Sequence, residues 1–564
     1  LLAAAIKQSR PDAKLTLGPA VDNGFYYDID FGSEKLSEEE LPKIEKQMKK
    51  LLPSWKEFSH REVSADEAKR VFAGNEYKIE LIEEIAGKGE TITLYKCGDF
   101  EDLCRGGHAE HPSTEIDADS FKLDRVAGAY WRGDEKNPML TRIYGLAFAT
   151  KEELDAYIAQ REEAKKRDHR KIGQEMDLFL TSELVGQGLP LWTPRGTLLR
   201  HTLDTFVWEL RQKYGYQRVT IPHITKKDLY EKSGHWAKFS DELFRITTRE
   251  GKEYALKPMN CPHHTQIFAR KPHSYREMPQ RYAETTMVYR DEQSGELGGL
   301  TRVLSITQDD SHVFCRMNQV RDEFFKIWDI VDTFYGTFGF KLRVRLSFHD
   351  PAEMEKYLGT AEIWKNAEDA LRSIAEERKA DYFEAPGEAA MYGPKLDFMA
   401  TDSMGREHQV ATIQLDMNQP ERFDLYCINE KGEKERVVMI HCAIMGSIER
   451  FSAVLIEHLG GVFPLWLSPE QVRVLPVSDK QAAYAASIVE ALRAAGVRAE
   501  LSADDSLGKR IRSMKLAKVP YFIVVGDQEM TDNTVTIENR EAQKVTEPLS
   551  KFIDKLKRDI ASRA

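Results

Sequence analysis

The period of the apolar positions changes along the 564-residue chain, and those changes divide it into stretches of different architecture. Residues 1–150 mix short strands and helices. LTLGPAVDNGFYYDIDF alternates at period two, and Asp22-Asn23-Gly24 supplies a hairpin turn. SEEELPKIEKQMKKLL follows as a helix with a Ser-x-x-Glu start. Residues 151–178 read as a charge-rich connector helix without a wide apolar stripe. Over 179–466 the pattern predicts helices at 197–215 and 320–339, with strands at 217–224, 341–348, 389–401 and 408–417. VVMIHCAIMGSIERFSAVLIEHLGG adds a strand running through a Gly-Ser turn into a helix. Mostly antiparallel strands with helices between them imply an α+β sheet domain. Beyond Pro464 to Pro469, residues 467–564 alternate strand and helix. That spacing predicts a small α/β domain with a mainly parallel sheet.

The middle of the chain is organised around Met287–His312. It reads as a strand carrying Arg290 and Glu292, a loop with Gly295, Gly298 and Gly299, and a return strand. In a strand alternate residues share a face, so Gln308, Asp310 and His312 form one polar row. An arginine on the partner strand facing such a row suits a site that handles a phosphate and a small polar ligand together.

Composition narrows the class. With 41% hydrophobic and 31% charged residues the chain is globular and multidomain. No apolar run approaches a membrane span, and LLAAAIKQSRPDAK lacks the form of a signal peptide, so we expect a cytoplasmic protein with no membrane partner. The chain opens on Leu1, which reads as a trimmed start. Six cysteines without framework spacing point to a reducing compartment and to free or metal-bound thiols. A net charge of -11 argues against a DNA-coating protein, although local basic faces still admit a nucleic acid. Lys165, Lys166, Arg167, His169, Arg170 and Lys171 on the connector suit either a phosphate backbone or a solvated face. Cys104-x-x-x-His108, with Asp102 before it and His111 after it, reads either as a metal half-site or acid-base cluster, or as a buried thiol beside a surface histidine.

Three elements then occur in a fixed order: Val219-Thr220-Ile221-Pro222, the Arg290/Glu292 strand with its loop, and Gly446-Ser447-x-Glu449-Arg450. They resemble motifs 1, 2 and 3 of class II aminoacyl-tRNA synthetases. Pro258-Met259-Asn260-Cys261-Pro262, Thr307-Gln308-Asp309-Asp310-x-His312 and Met439-Ile440-His441 are similar to the bacterial threonyl-tRNA synthetases, and the likeness covers essentially the whole chain. It implies an α+β multidomain protein: an editing-type domain at 1–150, a connector at 151–178, an antiparallel class II catalytic domain at 179–466, and an α/β anticodon-binding domain at 467–564. It also implies a ligase that joins L-threonine to tRNA(Thr) using ATP and Mg²⁺, acting as a homodimer.

The resemblance assigns one Zn²⁺ per chain to Cys261, His312 and His441. Three ligands leave an open position, as a substrate-binding zinc requires. Met259, Gln308, Asp310, Tyr392 and Gln414 would shape the amino-acid pocket. Arg290, Glu292, Arg302, Gln409, Ser447 and Arg450 would bind ATP, and His235 and Lys395 would assist transfer. Lys78, Asp102, Cys104 and His108 match the editing pocket, and Glu529 and Arg540 the anticodon face. Several positions depart from the family pattern. Ala4 replaces the second histidine of an editing His-x-x-x-His. Ile306 replaces an aromatic under adenine. Leu304, Ala411 and Cys442 replace residues more usually Arg, Gly and Arg, and Glu538 replaces an arginine. By the resemblance we expect a form without the family's N-terminal ubiquitin-like domain. The competing expectation, a non-catalytic RNA-binding relative, would have lost active-site groups, whereas Arg290, Glu292, Arg450 and all three ligands are present.

Overall fold

The computed structural model describes residues 1–34 and 36–563, which fall into two compact units, Leu1–Glu163 and Ala164–Ala564. In the first unit, strands Lys14–Leu15, Gly24–Asp30, Met139–Ala147 and Phe121–Tyr130 lie side by side in that order. The expected hairpin forms, with Asn23 at φ 63° in its turn. Helices Leu2–Ser9 and Leu41–Leu51 cover this sheet and bury Leu2, Ile6, Ile44 and Met48 against Ile29, Leu123 and Ile143. The expected Ser-x-x-Glu start is present, the Ser37 amide donating to Glu40 Oε2 at 3.1 Å. Strands Ser59–Val63, Ile92–Cys97 and Phe100–Leu103 make a second, smaller sheet.

The connector is two helices rather than one, Lys151–Arg167 and His169–Glu175. Asp168 breaks it by leaving helical geometry (ψ 121°) and accepting the Arg170 amide at 2.8 Å, a new N-cap inside a charge-rich run.

The second unit is built on an eight-stranded sheet: Gln217–Arg218, Gln280–Tyr289, Ser305–Cys315, Val438–Ser447, Glu407–Asp416, Lys395–Thr401, Lys341–Phe348 and Tyr382–Pro386. The two edge pairings are parallel and the inner ones antiparallel. Helices Pro194–Gln212, Val320–Thr337 and Ile448–Leu459 bury Leu199, Phe206, Phe324, Phe334 and Phe451 against Val313, Ile413 and Ile440. The strand expected over 217–224 is cut to two residues. After the Val219 amide reaches Ala283 O at 3.1 Å, Pro222 has no N–H with which to continue the ladder. The strand expected from 389 begins at Lys395.

In the C-terminal part the order is Ala499–Leu501, Val472–Pro476, Tyr521–Val525, Val535–Asn539, Lys544–Glu547. Its sheet is mixed, not mainly parallel: the first two pairings are parallel and the last two antiparallel. The added hairpin strand escaped the pattern because it has no apolar face, Val545 being 53% exposed. The turn before it closes where the Asn539 amide donates to Gln543 O at 3.1 Å. Among the described residues no helix is long and apolar enough to cross a membrane.

Candidate active site

The two strands of the central hairpin pair in register, with Tyr282 opposite His312, Glu284 opposite Asp310 and Thr286 opposite Gln308. Asp309 points to the other face and fixes the return strand to its neighbour. It accepts the amides of Ile444, Met445 and Gly446 at 2.9–3.0 Å and pairs with Arg211 at 3.1 Å. Full burial pushes its carboxyl up to about 6, against the pull of Arg211. Glu449 makes a second clamp, accepting Thr307 N and Thr307 Oγ1, both at 2.8 Å. Ser447 Oγ accepts the Arg450 amide at 3.2 Å and so caps the helix that carries Arg450.

Cys261 opens the helix Cys261–Phe268, while His312 and His441 sit opposite each other on adjacent strands. All three are buried, and their ligand atoms lie within 4.8 Å of one another. Each imidazole spends one nitrogen on the protein: His441 Nε2 lies 2.9 Å from Asp416 Oδ2, and His312 Nδ1 lies 2.7 Å from His264 Nδ1. The two remaining nitrogens, His312 Nε2 and His441 Nδ1, face each other at 3.1 Å. On a tetrahedral Zn²⁺ with ~2.0–2.1 Å bonds, two ligand nitrogens lie about 3.3 Å apart, so the spacing fits. Burial, then Asp310 and Asp416, raise the Cys261 thiol well above its ordinary range. A cation between these groups is what would stabilise a thiolate there.

Beside the triad, Asp310 Oδ2 accepts Asn260 Nδ2 at 3.0 Å, and Asp310 Oδ1 lies 3.7 Å from His312 Nε2. The Tyr392 ring lies 4.9 Å from the His441 ring, and its hydroxyl reaches Met259 Sδ at 3.8 Å. Gln414 pairs with His441 across the strands and donates to Gly393 O at 2.9 Å. His235 is fully buried between Ser233 Oγ (2.8 Å) and Met259 Sδ (3.2 Å), and burial lowers its pKa to about 3. It is a neutral imidazole at physiological pH. Gln308 is half-buried on the same row as Asp310 and His312.

On the phosphate side, the Arg290 amide donates to Leu304 O at 3.0 Å, while its Nε is buried without a partner among the described residues. A buried guanidinium N–H with nothing to bond is a donor waiting for an anion. Arg450 is exposed, yet desolvation of its head group and then the nearby Arg302 charge lower its pKa. Glu292 and Arg302 pair with each other at 2.7 Å, and Glu296 joins Arg302 at 3.0 Å. Gln409 and Lys395 belong to one network around the buried Asp397. Gln409 Nε2 donates to Asp397 Oδ1 at 3.0 Å, and Lys395 Nζ lies 3.3 Å from Asp397 Oδ2. Arg345 Nη2 bonds both Gln409 Oε1 (2.7 Å) and Asp397 Oδ2 (3.0 Å). The pattern had not singled out Asp416 or Asp397. A carboxylate in an otherwise apolar strand was the available signal, and for Asp416 the imidazole it meets, His441, is 25 residues away. Ile306 lies opposite Val288 in the hairpin, half-buried.

Residues 244–459 match the tRNA synthetase class II core domain (G, H, P, S and T), and 471–559 match an anticodon binding domain. Residues 92–144 match the threonyl and alanyl tRNA synthetase second additional domain. A threonine–tRNA ligase of Deinococcus radiodurans is 48% identical over 98% of this chain and 85% of its own length. The chain belongs to the threonine–tRNA ligase family. Another member, from Gloeobacter violaceus, is 47% identical over 100% of this chain and 91% of its own. Among solved structures, the RNA binding domain of threonyl-tRNA synthetase from Cryptosporidium parvum superposes with a TM-score of 0.66 at 38% identity. It covers 69% of this chain and 98% of its own.

Of the residues expected for editing, Lys78 and Asp102 are in direct contact. Lys78 is buried and pairs with Asp102 Oδ1 at 2.7 Å, and Tyr27 OH donates to Asp102 Oδ2 at 2.9 Å. The His108 ring stacks on Phe58 at 4.2 Å, and Cys104 Sγ lies 4.0 Å from Gly106 O. Among the described residues, Cys104 and His108 join no third metal-ligating group. Ala4 is buried in an apolar cluster with Trp55 and Cys97. The anticodon expectations fare differently. Arg540 Nε donates to Lys518 O at 2.9 Å and Nη1 to Phe463 O at 2.7 Å, which makes it a brace between the C-terminal sheet and the segment before it. Glu529 accepts Gly526 N at 2.9 Å and Thr536 Oγ1 at 2.8 Å, so both oxygens serve the fold. Glu538 lies 3.3 Å from Lys544.

Proposed function

We propose that this chain is an active threonine–tRNA ligase. It activates L-threonine with ATP and transfers the aminoacyl group to the 3′ end of tRNA(Thr) in the cytoplasm, as a homodimer. The observation that carries this reading is the buried Cys261/His312/His441 set with Asp310 alongside it.

Zn²⁺, one per chain, would be held by those three residues and would supply an open position for the amino and hydroxyl groups of threonine. Asp310, steadied by Asn260, accepts the substrate hydroxyl proton. Tyr392, Met259, Gln308 and Gln414 close the pocket around the side chain. Valine lacks the hydroxyl and leaves Asp310 unpaired, so it is rejected strongly. Serine differs by one methyl group, worth only about 1–3 kcal/mol, so it is rejected weakly.

In the first step a threonine carboxylate oxygen bonds to the α-phosphorus of ATP and the bond to pyrophosphate breaks. Arg290 holds the α-phosphate and the carboxylate through its guanidinium, whose buried Nε–H is one of the donors. Arg450, its amide held by Ser447 Oγ, would meet the outer phosphates, whose charge Mg²⁺ would share. Glu292 meets the base, after exchanging its bond to Arg302 for the nucleotide. In the second step a 3′-terminal ribose hydroxyl attacks the carbonyl carbon and AMP leaves. His235, neutral and next to Met259, and Lys395, on the Asp397 network, border this acceptor side. Gln409 acts through Arg345 and Asp397 rather than on the nucleotide alone.

Threonine-dependent exchange of labelled pyrophosphate into ATP by the zinc-loaded protein tests the proposal. Exchange with no amino acid would overturn it.

A further inference from the structure

Among the buried histidines, His169 has no part in the site described above. His169 opens the second connector helix, is 5% exposed, and has both ring nitrogens engaged. The backbone amide of Leu300 donates to His169 Nε2 at 3.1 Å. An acceptor at Nε2 puts the ring proton on Nδ1, which lies 2.7 Å from Glu457 Oε1 and donates to it. Glu457 also accepts the His169 amide at 3.2 Å, and its other oxygen pairs with Arg406 at 2.7 Å. Asp168, His169 and Glu457 lie close enough to suggest a metal site, but with both imidazole nitrogens spent and both carboxylates paired to arginines the cluster is a hydrogen-bond relay.

Its two ends are informative. Glu457 stands seven residues after Arg450 on one helix, two turns along the same face. Leu300 lies in the connection between the strands Gln280–Tyr289 and Ser305–Cys315, two residues before Arg302. Four residues on, Leu304 donates its amide to Gly188 O at 2.8 Å and accepts the Arg290 amide at 3.0 Å. The contact is close by construction. Gly299 has φ +54°, and a Cβ there would meet His169 Nε2 at 2.4 Å.

We propose that His169 is a positioning residue for the nucleotide site. It holds the root of the loop carrying Arg302 and the helix carrying Arg450 in one relation, and thereby sets the affinity for ATP without touching it. This rests on the ATP roles proposed for Arg290, Arg302 and Arg450. The groups proposed to hold the amino and hydroxyl groups of threonine are not part of the relay, so KM for threonine changes far less than KM for ATP.

Two near-isosteres separate the claim from simple destabilisation. His169→Asn keeps a donor for Glu457 and removes the acceptor for Leu300, whereas His169→Gln places an amide oxygen where Nε2 was and gives up the Nδ1 donor, Glu457 staying tied to residue 169 through its backbone amide and to Arg406. In pyrophosphate exchange, His169→Asn raises KM for ATP roughly 10-fold, with kcat and KM for threonine changed by less than about 2-fold; His169→Gln stays within about 2-fold throughout. Hydrogen exchange gives a readout that needs no activity: the Leu300 amide loses protection in His169→Asn and keeps it in His169→Gln. Equal effects of the two variants on KM for ATP, a matching rise in KM for threonine, or unchanged Leu300 protection in His169→Asn would each overturn the proposal. Absence of exchange in the unmodified protein would instead count against the ligase reading, and the Leu300 result would still decide the role of His169.

Discussion

Asp416 is the group on which the metal proposal turns most sharply. It is fully buried, takes His441 on Oδ2 at 2.9 Å, and accepts the amides of Asn418 and Gln419 on Oδ1 at 2.8 and 2.9 Å. Those two amides orient the carboxylate, and the carboxylate keeps the His441 proton on Nε2, which leaves Nδ1 free to bind a cation. In Asp416→Asn the amide oxygen can still serve the two backbone amides, so the NH₂ group is what then faces Nε2. Two donors cannot share that contact, and the relief is to move the imidazole proton to Nδ1, the ligand atom. Partners behind a ligand imidazole are worth about 10–100-fold in metal affinity, which is about 1.4–2.7 kcal/mol. The substitution is nearly isosteric and leaves Oδ1 partners paired, so the fold persists. Competition with a chelator of known zinc affinity measures the loss, and circular dichroism confirms the fold. A zinc Kd unchanged by Asp416→Asn would refute the reasoning, because it would mean that Asp416 does not set the tautomer of a ligand.

Other expectations follow from the same contacts. His235 has a folded pKa of about 3 against an ordinary value of 6.5, so the unfolded chain takes up a proton that the folded chain refuses. The stability it contributes is present above pH 6.5 and lost as pH falls toward 3, by about 2 kcal/mol at pH 5; His235→Gln flattens that part of the Tm–pH curve. Asp309→Ala leaves Arg211 buried and unpaired and costs about 3–5 kcal/mol, seen as a lower Tm or insolubility, whereas a neutral result would remove Asp309 as an anchor. Arg540→Ala lowers the stability of the C-terminal part by about 1–3 kcal/mol and leaves the salt dependence of tRNA binding unchanged, as denaturation and filter binding would show. Because Ala4 sits in an apolar cluster, hydrolysis of seryl-tRNA by this chain is slow; rapid deacylation would contradict that reading.

The catalytic sheet was legible because its strands are long and regular. Lys341–Phe348 starts and ends where the alternation does, and Val438–Ser447 runs into its helix at Gly446-Ser447 as expected. The shared face of Gln308, Asp310 and His312 followed from period two alone. What escaped were features with no local signature. Lys544–Glu547 is a strand without an apolar face, and the connector breaks at Asp168 inside an unbroken charge pattern. The site shows the same division. Ligand residues announced themselves by type, but the groups that orient them did not: Asp416 behind His441, Asp309 under the return strand and His169 beneath Leu300 all act across more than 20 residues of sequence. Arg540 shows the converse. Its type and place suggested a base contact, and only the distances to Lys518 O and Phe463 O reveal a brace.

The central claim is that a metal held by Cys261, His312 and His441, with Asp310 beside it, selects the amino acid that this chain activates. The most direct test measures bound zinc and amino-acid-dependent pyrophosphate exchange on the same sample, with threonine, serine and valine. The account predicts one zinc per chain, strong exchange with threonine, weaker exchange with serine and almost none with valine. Exchange that discriminates threonine from valine equally well after the zinc is stripped would contradict it.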